Sequence, residues 1–107
     1  MRFGRRGRFS ELVMRQLDLF AADDAELLTE AAEAEDAWNA SSAENAEEAY
    51  GDYQLVVDAI ADRLLEIRES YAHTLDDEAA SEYSADFTRE ATRRYRRYAT
   101  LLADLED

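Results

Sequence analysis

Five ionisable residues follow one another at spacings of four and three: Asp62, Glu66, Glu69, His73 and Asp76. Such spacing places side chains along one stripe of a helix. Carboxylates together with an imidazole are ligands that divalent metals take in helical bundles. Glu66, Glu69 and His73 are therefore candidate ligands of a ferritin-like metal site.

Two features of this stripe argue against a metal. It lies about 200° around the helix from the neighbouring apolar series that contains Ile60 and Leu64, so it faces away from the core. The Glu-x-x-His pair of ferritin-like proteins is also missing, because Glu69 and His73 are four residues apart. We therefore interpret the stripe as a solvated face, and a metal site here would need a second subunit to complete it.

A second constellation interleaves guanidinium groups with the aromatic rings of Tyr95 and Tyr98. Its cationic members are Arg93, Arg94, Arg96 and Arg97. Three uses remain open, namely ion pairs within the fold, contact with a partner protein, and contact with nucleic acid. The first is favoured because an antiparallel hairpin turning at 75–76 brings residues 93–97 opposite 54–58. The acids there are Asp52, Asp58 and Asp62.

Residues 1–9 form a basic N-terminal arm with four Arg, two Gly and two Phe. Docking on an acidic helix, of this chain or of a partner, is the favoured interpretation, with disorder or an external anionic ligand as alternatives.

Trp38 is interpreted as a core residue packed against the helical hairpin, and an exposed interface anchor is the alternative.

Catalytic patterns are absent from the sequence. The chain has no Cys and no Lys, and its one His has no sequence neighbour for nucleophilic catalysis beyond Thr74. No glycine-rich phosphate loop occurs. We expect neither an enzyme nor a cofactor.

Composition restricts the 107 residues to one all-α domain. The chain contains no Pro, no Cys and three Gly, and 47% of it is hydrophobic, which excludes disulfide scaffolds and loop-rich β folds. No apolar run is long enough to span a membrane, and Glu11, Arg15 and Asp18 interrupt the stretch that a signal peptide would need. We therefore expect a cytoplasmic protein. Arginine as the only base, with abundant alanine, indicates a high-GC bacterial source.

The charge is unevenly distributed around its total of −14. Residues 1–17 hold five Arg and one acid, residues 18–62 hold fourteen acids and no base, and residues 63–107 hold seven Arg and eleven acids. We call residues 18–62 the acidic stretch. Because such a surface repels phosphates, the charge pattern disfavours nucleic acid as a partner.

Spacing and capping signals predict the helices of a single domain over residues 10–107. Ser10 is a candidate N-cap for the first helix. Asp23 and Glu26 have the spacing of a capping box, which either starts a second helix or only kinks the first, so residues 10–39 form one bent helix or two. Ser41 with Glu44 predicts the start of a long helix, and Asp76 or Asp77 predicts the start of the last one. The long helix carries a 3.5-residue, coiled-coil-like repeat. Its members are Ala46, Tyr50, Tyr53, Val57, Ile60, Leu64, Ile67 and Tyr71.

These elements predict a long antiparallel hairpin over residues 43–105, with one or two N-terminal helices packed across it in a bundle. Because 20 of the hydrophobic residues are Ala, few large apolar side chains remain to cover its long faces. We therefore expect a homodimer. The favoured function is a non-enzymatic protein-interaction or oligomerisation module whose acidic surface binds a basic partner. A metal-binding helical protein and a nucleic-acid contact through the Arg clusters are the alternatives.

Overall fold

The predicted all-α class is confirmed in a computed structural model that describes residues 7–99 and 102. Within this range the helices are α1 (Ser10–Asp23), α2 (Ala25–Ala40), α3 (Ala46–Ala72) and α4 (Asp77–Arg94), and the described residues contain no strand. The molecule measures 50 × 28 × 25 Å. Helix α3, whose 27 residues span about 40 Å, accounts for most of the longest axis.

The long helix forms as one continuous element, as its apolar repeat predicts. Four members of the repeat, which we call the α3 stripe, are buried: Tyr53, Val57, Ile60 and Leu64. Ile67 and Tyr71 pack against the core while partly exposed. The repeat fails at its beginning, since Tyr50 is 44% exposed.

Helices α1 and α2 run antiparallel to α3 with a kink at Asp24. The backbone of Asp24 leaves the helical region (φ −112°, ψ 31°), yet its N–H still donates to Phe20 and its carbonyl accepts from Leu28. The question of one helix or two is therefore resolved as two helices joined by a single residue. Arg63 of α3 donates from Nε to the Asp24 carboxylate at 3.1 Å, and this bond raises the pKa of Arg63.

Helix α4 packs against α1 and against the second half of α3, which produces a three-helix end. Tyr83 and Phe87 of α4 are fully buried there with Leu17 and Phe20 of α1. The predicted cap at Asp76 is confirmed, because its side chain accepts a hydrogen bond from the Ala79 N–H at 2.8 Å. The other half of α3 pairs with α2.

The predicted hairpin over 43–105 is wrong in its extent. Helix α4 ends at Arg94, and Leu105, predicted to lie on it, is outside the described residues. Beyond Arg94 the chain turns, so that the Tyr95 ring packs edge-on against Phe20 at 5.5 Å, and Ala99 and Leu102 become buried. The partner of the first half of α3 is therefore α2 rather than a continuous last helix.

Three predicted caps are also wrong. Phe9 precedes α1, and the Ser10 hydroxyl accepts from the Gly7 N–H at 3.0 Å instead of capping the helix. Asp23 does not cap α2 but is the last residue of α1, and the residue that precedes α2, Asp24, makes no side-chain cap bond. Ser41 donates to the Trp38 carbonyl at 2.7 Å, so it closes α2 rather than opening α3, which begins after Asn45.

Buried polar groups stabilise the three-helix end through specific bonds. Arg68, only 5% exposed, donates to Glu69 at 3.0 Å and to Thr88 at 2.7 Å. The Tyr83 hydroxyl donates to Gln16 at 2.7 Å. Such bonds are required because an unpaired polar group costs about 1–3 kcal/mol when buried.

Among the described residues, no helix has both the length and the apolar character needed to cross a membrane.

Ionisation of Tyr83 should destabilise the fold at high pH. Burial raises the pKa of Tyr83 to about 12, whereas a tyrosine in the unfolded chain loses its proton near pH 10. The neutral form is thus favoured in the native state, and up to about 3 kcal/mol of stability should be lost as the pH rises from 10 to 12. Urea unfolding at a series of pH values measures this loss.

Tyr83→Phe should show a shallower decline over that pH window, because the titrating group is gone. Tyr50→Phe is the matched control, since Tyr50 is exposed, and should keep the wild-type slope. If the stability of Tyr83→Phe declined with pH as steeply as that of the wild type, ionisation of Tyr83 would not be the cause of the decline.

Candidate functional site

A groove lies between α2 and α3 on the two-helix end of the molecule. Its volume is about 490 Å³. We call it the acidic groove, and its lining comprises Glu30, Glu33, Ala34, Ala37, Ala49, Asp52, Leu55 and Val56. Alanine methyl groups and the two larger aliphatic side chains give it an apolar floor, while carboxylates from both helices stand at its edges.

The two helices form this groove because few large side chains separate them. Helix α2 contributes one fully buried residue, Ala31, and in the groove its apolar lining consists only of Ala34 and Ala37. Leu55 of α3 is 69% exposed, because it lies two positions away from Val57 of the α3 stripe and projects from a different face. The groove thus presents an apolar surface that no described residue covers.

Trp38 closes one end of the α2–α3 pair. Its ring stacks on Tyr53 at 5.3 Å and leans on Tyr50 at 4.7 Å. The predicted packing of Trp38 against the long helix is therefore present, although the ring is only half-buried. Burial raises the pKa of Tyr53, and the phenols of Tyr98 and Tyr50 add to this shift. The segment after α4 consequently passes close to this aromatic cluster.

The four predicted arginines divide between α4 and the segment after it. Arg94 lies 2.8 Å from Asp18, and Arg97 forms an ion pair with Glu35. Both partners belong to the acidic stretch, but they are not the Asp52, Asp58 and Asp62 of the predicted register, since the shorter α4 does not reach them.

The remaining two arginines are also engaged within the described residues. Arg93 lies 3.6 Å from Glu90 on its own helix, and Arg96 makes an interaction as well. Desolvation by itself would lower the pKa of Arg94, but hydrogen bonding and charge interaction with Asp18 and Tyr95 together outweigh it and raise the pKa. The cluster therefore contributes positive charge to its own fold.

Part of the basic arm docks on α4. Residues 1–6 lie outside the described residues, whereas the following three contact the helix directly. Arg8 pairs with Glu82 at 2.9 Å, the Phe9 N–H donates to Asp86 at 2.8 Å, and the Phe9 ring meets Tyr83 edge-on at 5.7 Å. For this part of the arm, the predicted docking on an acidic helix is confirmed.

The predicted metal ligands are not brought into a ligand group. In residues 7–99 and 102, no three His, Cys, Asp or Glu side chains are placed to hold a metal ion. Glu66 instead lies 3.1 Å from Arg63 and Glu69 lies 3.0 Å from Arg68. The stripe is thus occupied by ion pairs on a solvated face, and the metal hypothesis gains no support.

His73 lines a second groove, at the turn between α3 and α4. Ser81 and Ser84 line it too, together with Glu69 and Asp77. A serine and a histidine are the residue types of a catalytic nucleophile and its general base. Among the described residues, however, His73 makes no hydrogen bond to Ser81 or Ser84. A nucleophile would need such a bond for activation.

Sequence reasoning missed most of the acidic groove. Its acidic edges lie in the stretch that the charge pattern had identified. The alanines of its floor carry no such signal, since alanine is common on every face of these helices. Leu55 was detectable in principle, because a large aliphatic residue outside the 3.5-residue repeat must face another direction.

Comparison with protein-family models, curated proteins and solved structures found no match to this chain.

Gly7→Ala should weaken the docking of the arm on α4. An alanine Cβ at this position would overlap the carboxylate of Asp86, a side chain that also binds Phe9 N–H and Arg89. We expect a loss of about 1–3 kcal/mol in the free energy of unfolding, as for other overpacked sites. Urea denaturation measures it.

The same substitution at Gly51 is the control, because no atom lies within 4 Å of a Cβ built there. Gly51→Ala should raise stability by up to about 1 kcal/mol, since alanine favours a helix interior. Two changes of the same sign and size would disprove the close approach at Gly7.

Proposed function

We propose that the protein is a non-enzymatic interaction module that binds a basic segment of a partner protein in the acidic groove. The observation that carries the proposal is the combination of an apolar floor with carboxylates on both edges. Among the described residues, no basic side chain pairs with Glu30, Glu33 or Asp52. A surface of this kind suits a ligand that supplies both apolar and cationic groups.

The charge distribution supports a cationic ligand. The acidic stretch has fourteen acids and no base, and Arg63, Arg94 and Arg97 pair with only Asp24, Asp18 and Glu35 within it. The acids of the groove therefore leave it with a net negative charge, which a basic partner would neutralise. Electrostatic complementarity also accelerates association and rejects acidic competitors.

Nucleic acid is the less favoured ligand. Arg93, Arg94 and Arg97, which could approach phosphates, are paired with carboxylates of this chain, and the surrounding surface is negative. A high-GC bacterial source remains part of the proposal, and its support is the arginine-only composition together with the abundance of alanine.

Neutralising the groove should abolish partner binding without unfolding the protein. The test variant carries Glu30→Gln, Glu33→Gln and Asp52→Asn, because these exposed carboxylates have no ion pair to lose. Basic proteins captured from native cell extract by the wild type should be lost with this variant. The wild-type complexes should also weaken as salt screens the charges.

The control variant removes the same number and type of exposed, unpaired charges outside the groove, through Glu11→Gln on α1 and Asp77→Asn with Glu78→Gln on α4. It should retain the captured proteins. Equal loss in both variants would show that net charge, rather than the groove, governs binding and would refute the proposal.

A second candidate role is homodimerisation through the face between α1 and α3. Leu19 is 62% exposed there, beside two adjoining hollows of about 190 and 380 Å³ that share Gln16, Arg63 and Ile67. The acidic groove is unsuited to a second copy, since like charges would meet. The α1–α3 face carries both signs, so two copies can approach there.

Leu19→Glu should convert the dimer to a monomer by placing a charge in this interface. Sedimentation equilibrium at micromolar concentration measures the mass. Leu55→Glu adds the same charge at an equally exposed leucine in the acidic groove and should leave the dimer intact. A monomer mass for the wild-type protein would disprove dimerisation.

A further inference from the structure

Gly51 has no structural explanation within the described chain. It lies in the helical interior of α3, where glycine is less favourable than alanine. Its backbone does not use the positive φ that would require glycine. No atom lies within 4 Å of a Cβ built at this position, so no neighbour in this molecule needs the missing side chain.

Gly51 adjoins the acidic groove. Leu55 lies one turn further along the same face of α3, and Asp52 stands beside it on the edge of the groove. A position without a side chain next to a 69% exposed leucine allows another backbone to approach α3 closely. The exposed apolar side chain of Leu55 and the open space at Gly51 therefore lie next to each other on α3.

The backbone of the groove favours a helical ligand over an extended one. Helices α2 and α3 use their backbone N–H and C=O groups internally, so neither presents a free strand edge for an extended peptide. An extended peptide would also leave its own polar backbone against alanine and leucine side chains, which is unfavourable. A helix satisfies its backbone internally and presents only side chains.

We infer that the partner enters the acidic groove as an amphipathic cationic helix that crosses α3 at Gly51. This rests on the proposed function and specifies its ligand. The apolar face of the helix packs on Leu55 and the alanine floor, while its flanking basic residues reach Glu30, Glu33 and Asp52. The α2 residues that line the groove, 30–37, span about 11 Å along the helix axis, which is the length of about two turns of a helical ligand.

The experiment uses two synthetic peptides of about four helical turns and the intact protein. The first peptide places leucine and alanine at helical spacing on one face and arginine on the flanks. The second has the same residues except for one central proline, which prevents a continuous helix. Isothermal titration calorimetry measures both affinities, and backbone NMR shifts locate the bound peptide.

Gly51→Gln is the decisive variant, because it fills the proposed crossing point while its side chain extends into open space in the free protein. Ala22→Gln, at an exposed position on α1, is the control. Circular dichroism verifies that both variants keep their helices. We expect the helical peptide to bind the wild type about tenfold more tightly than the proline peptide. Gly51→Gln should cost about the same factor, and Ala22→Gln should cost nothing.

Two other outcomes would overturn the inference in different ways. If both peptides bind equally and Gly51→Gln has no effect, the ligand is not a helix at this site, while the proposed basic partner stands. If neither peptide binds at low salt, the proposed function fails together with the inference.

Discussion

The whole arrangement depends on the α3 stripe, because α3 is the one described helix that extends along both ends of the molecule. Tyr53 of the stripe stacks against Trp38 of α2, whereas Ile60 and Leu64 join the core that α1 and α4 help to form. Twenty of the hydrophobic residues are alanine, so the large apolar side chains suffice to fill one end but not both. The three-helix end holds Phe20, Tyr83 and Phe87 fully buried, whereas the two-helix end relies on alanine contacts and the stack of Trp38 on Tyr53.

Charge follows the same division. At the three-helix end, buried acids such as Asp86 are bonded to Arg89 and to a backbone N–H. On the two-helix end, the chain after α4 brings Arg97 to Glu35 on one side. The acidic groove opens elsewhere on this end, and its carboxylates have no partner among the described residues. The thinly packed end of the fold is thus also its least neutralised surface.

How much of this was predictable depends on the physical size of each signal. The α3 stripe could be predicted because it belongs to a repeat of eight apolar positions, and burying four of them contributes several kcal/mol. The failure of the predicted caps at Ser10 and Ser41 could not be foreseen. A cap contributes only about 1 kcal/mol, and other contacts of these two serines outweigh it. Ser41 bonds the end of α2, and Ser10 bonds the arm. The end of α4 was equally hidden, since Tyr95 continues the helical pattern but packs on Phe20 from a turn.

For the candidate site, the sequence predicted the charge but not the shape. Fourteen acids without a base identify an acidic surface in any fold, because electrostatics depends on proximity that a contiguous stretch guarantees. A groove, by contrast, depends on which small residues face each other across two helices, and alanine gives no periodic signal for that. Leu55 and Gly51 are the two positions at which the sequence does give information about the groove. Each departs from the pattern of its own helix, and both departures fall on the face that the fold leaves uncovered. Burial within this chain explains neither residue, and therefore the physical reason for both is sought in a second molecule.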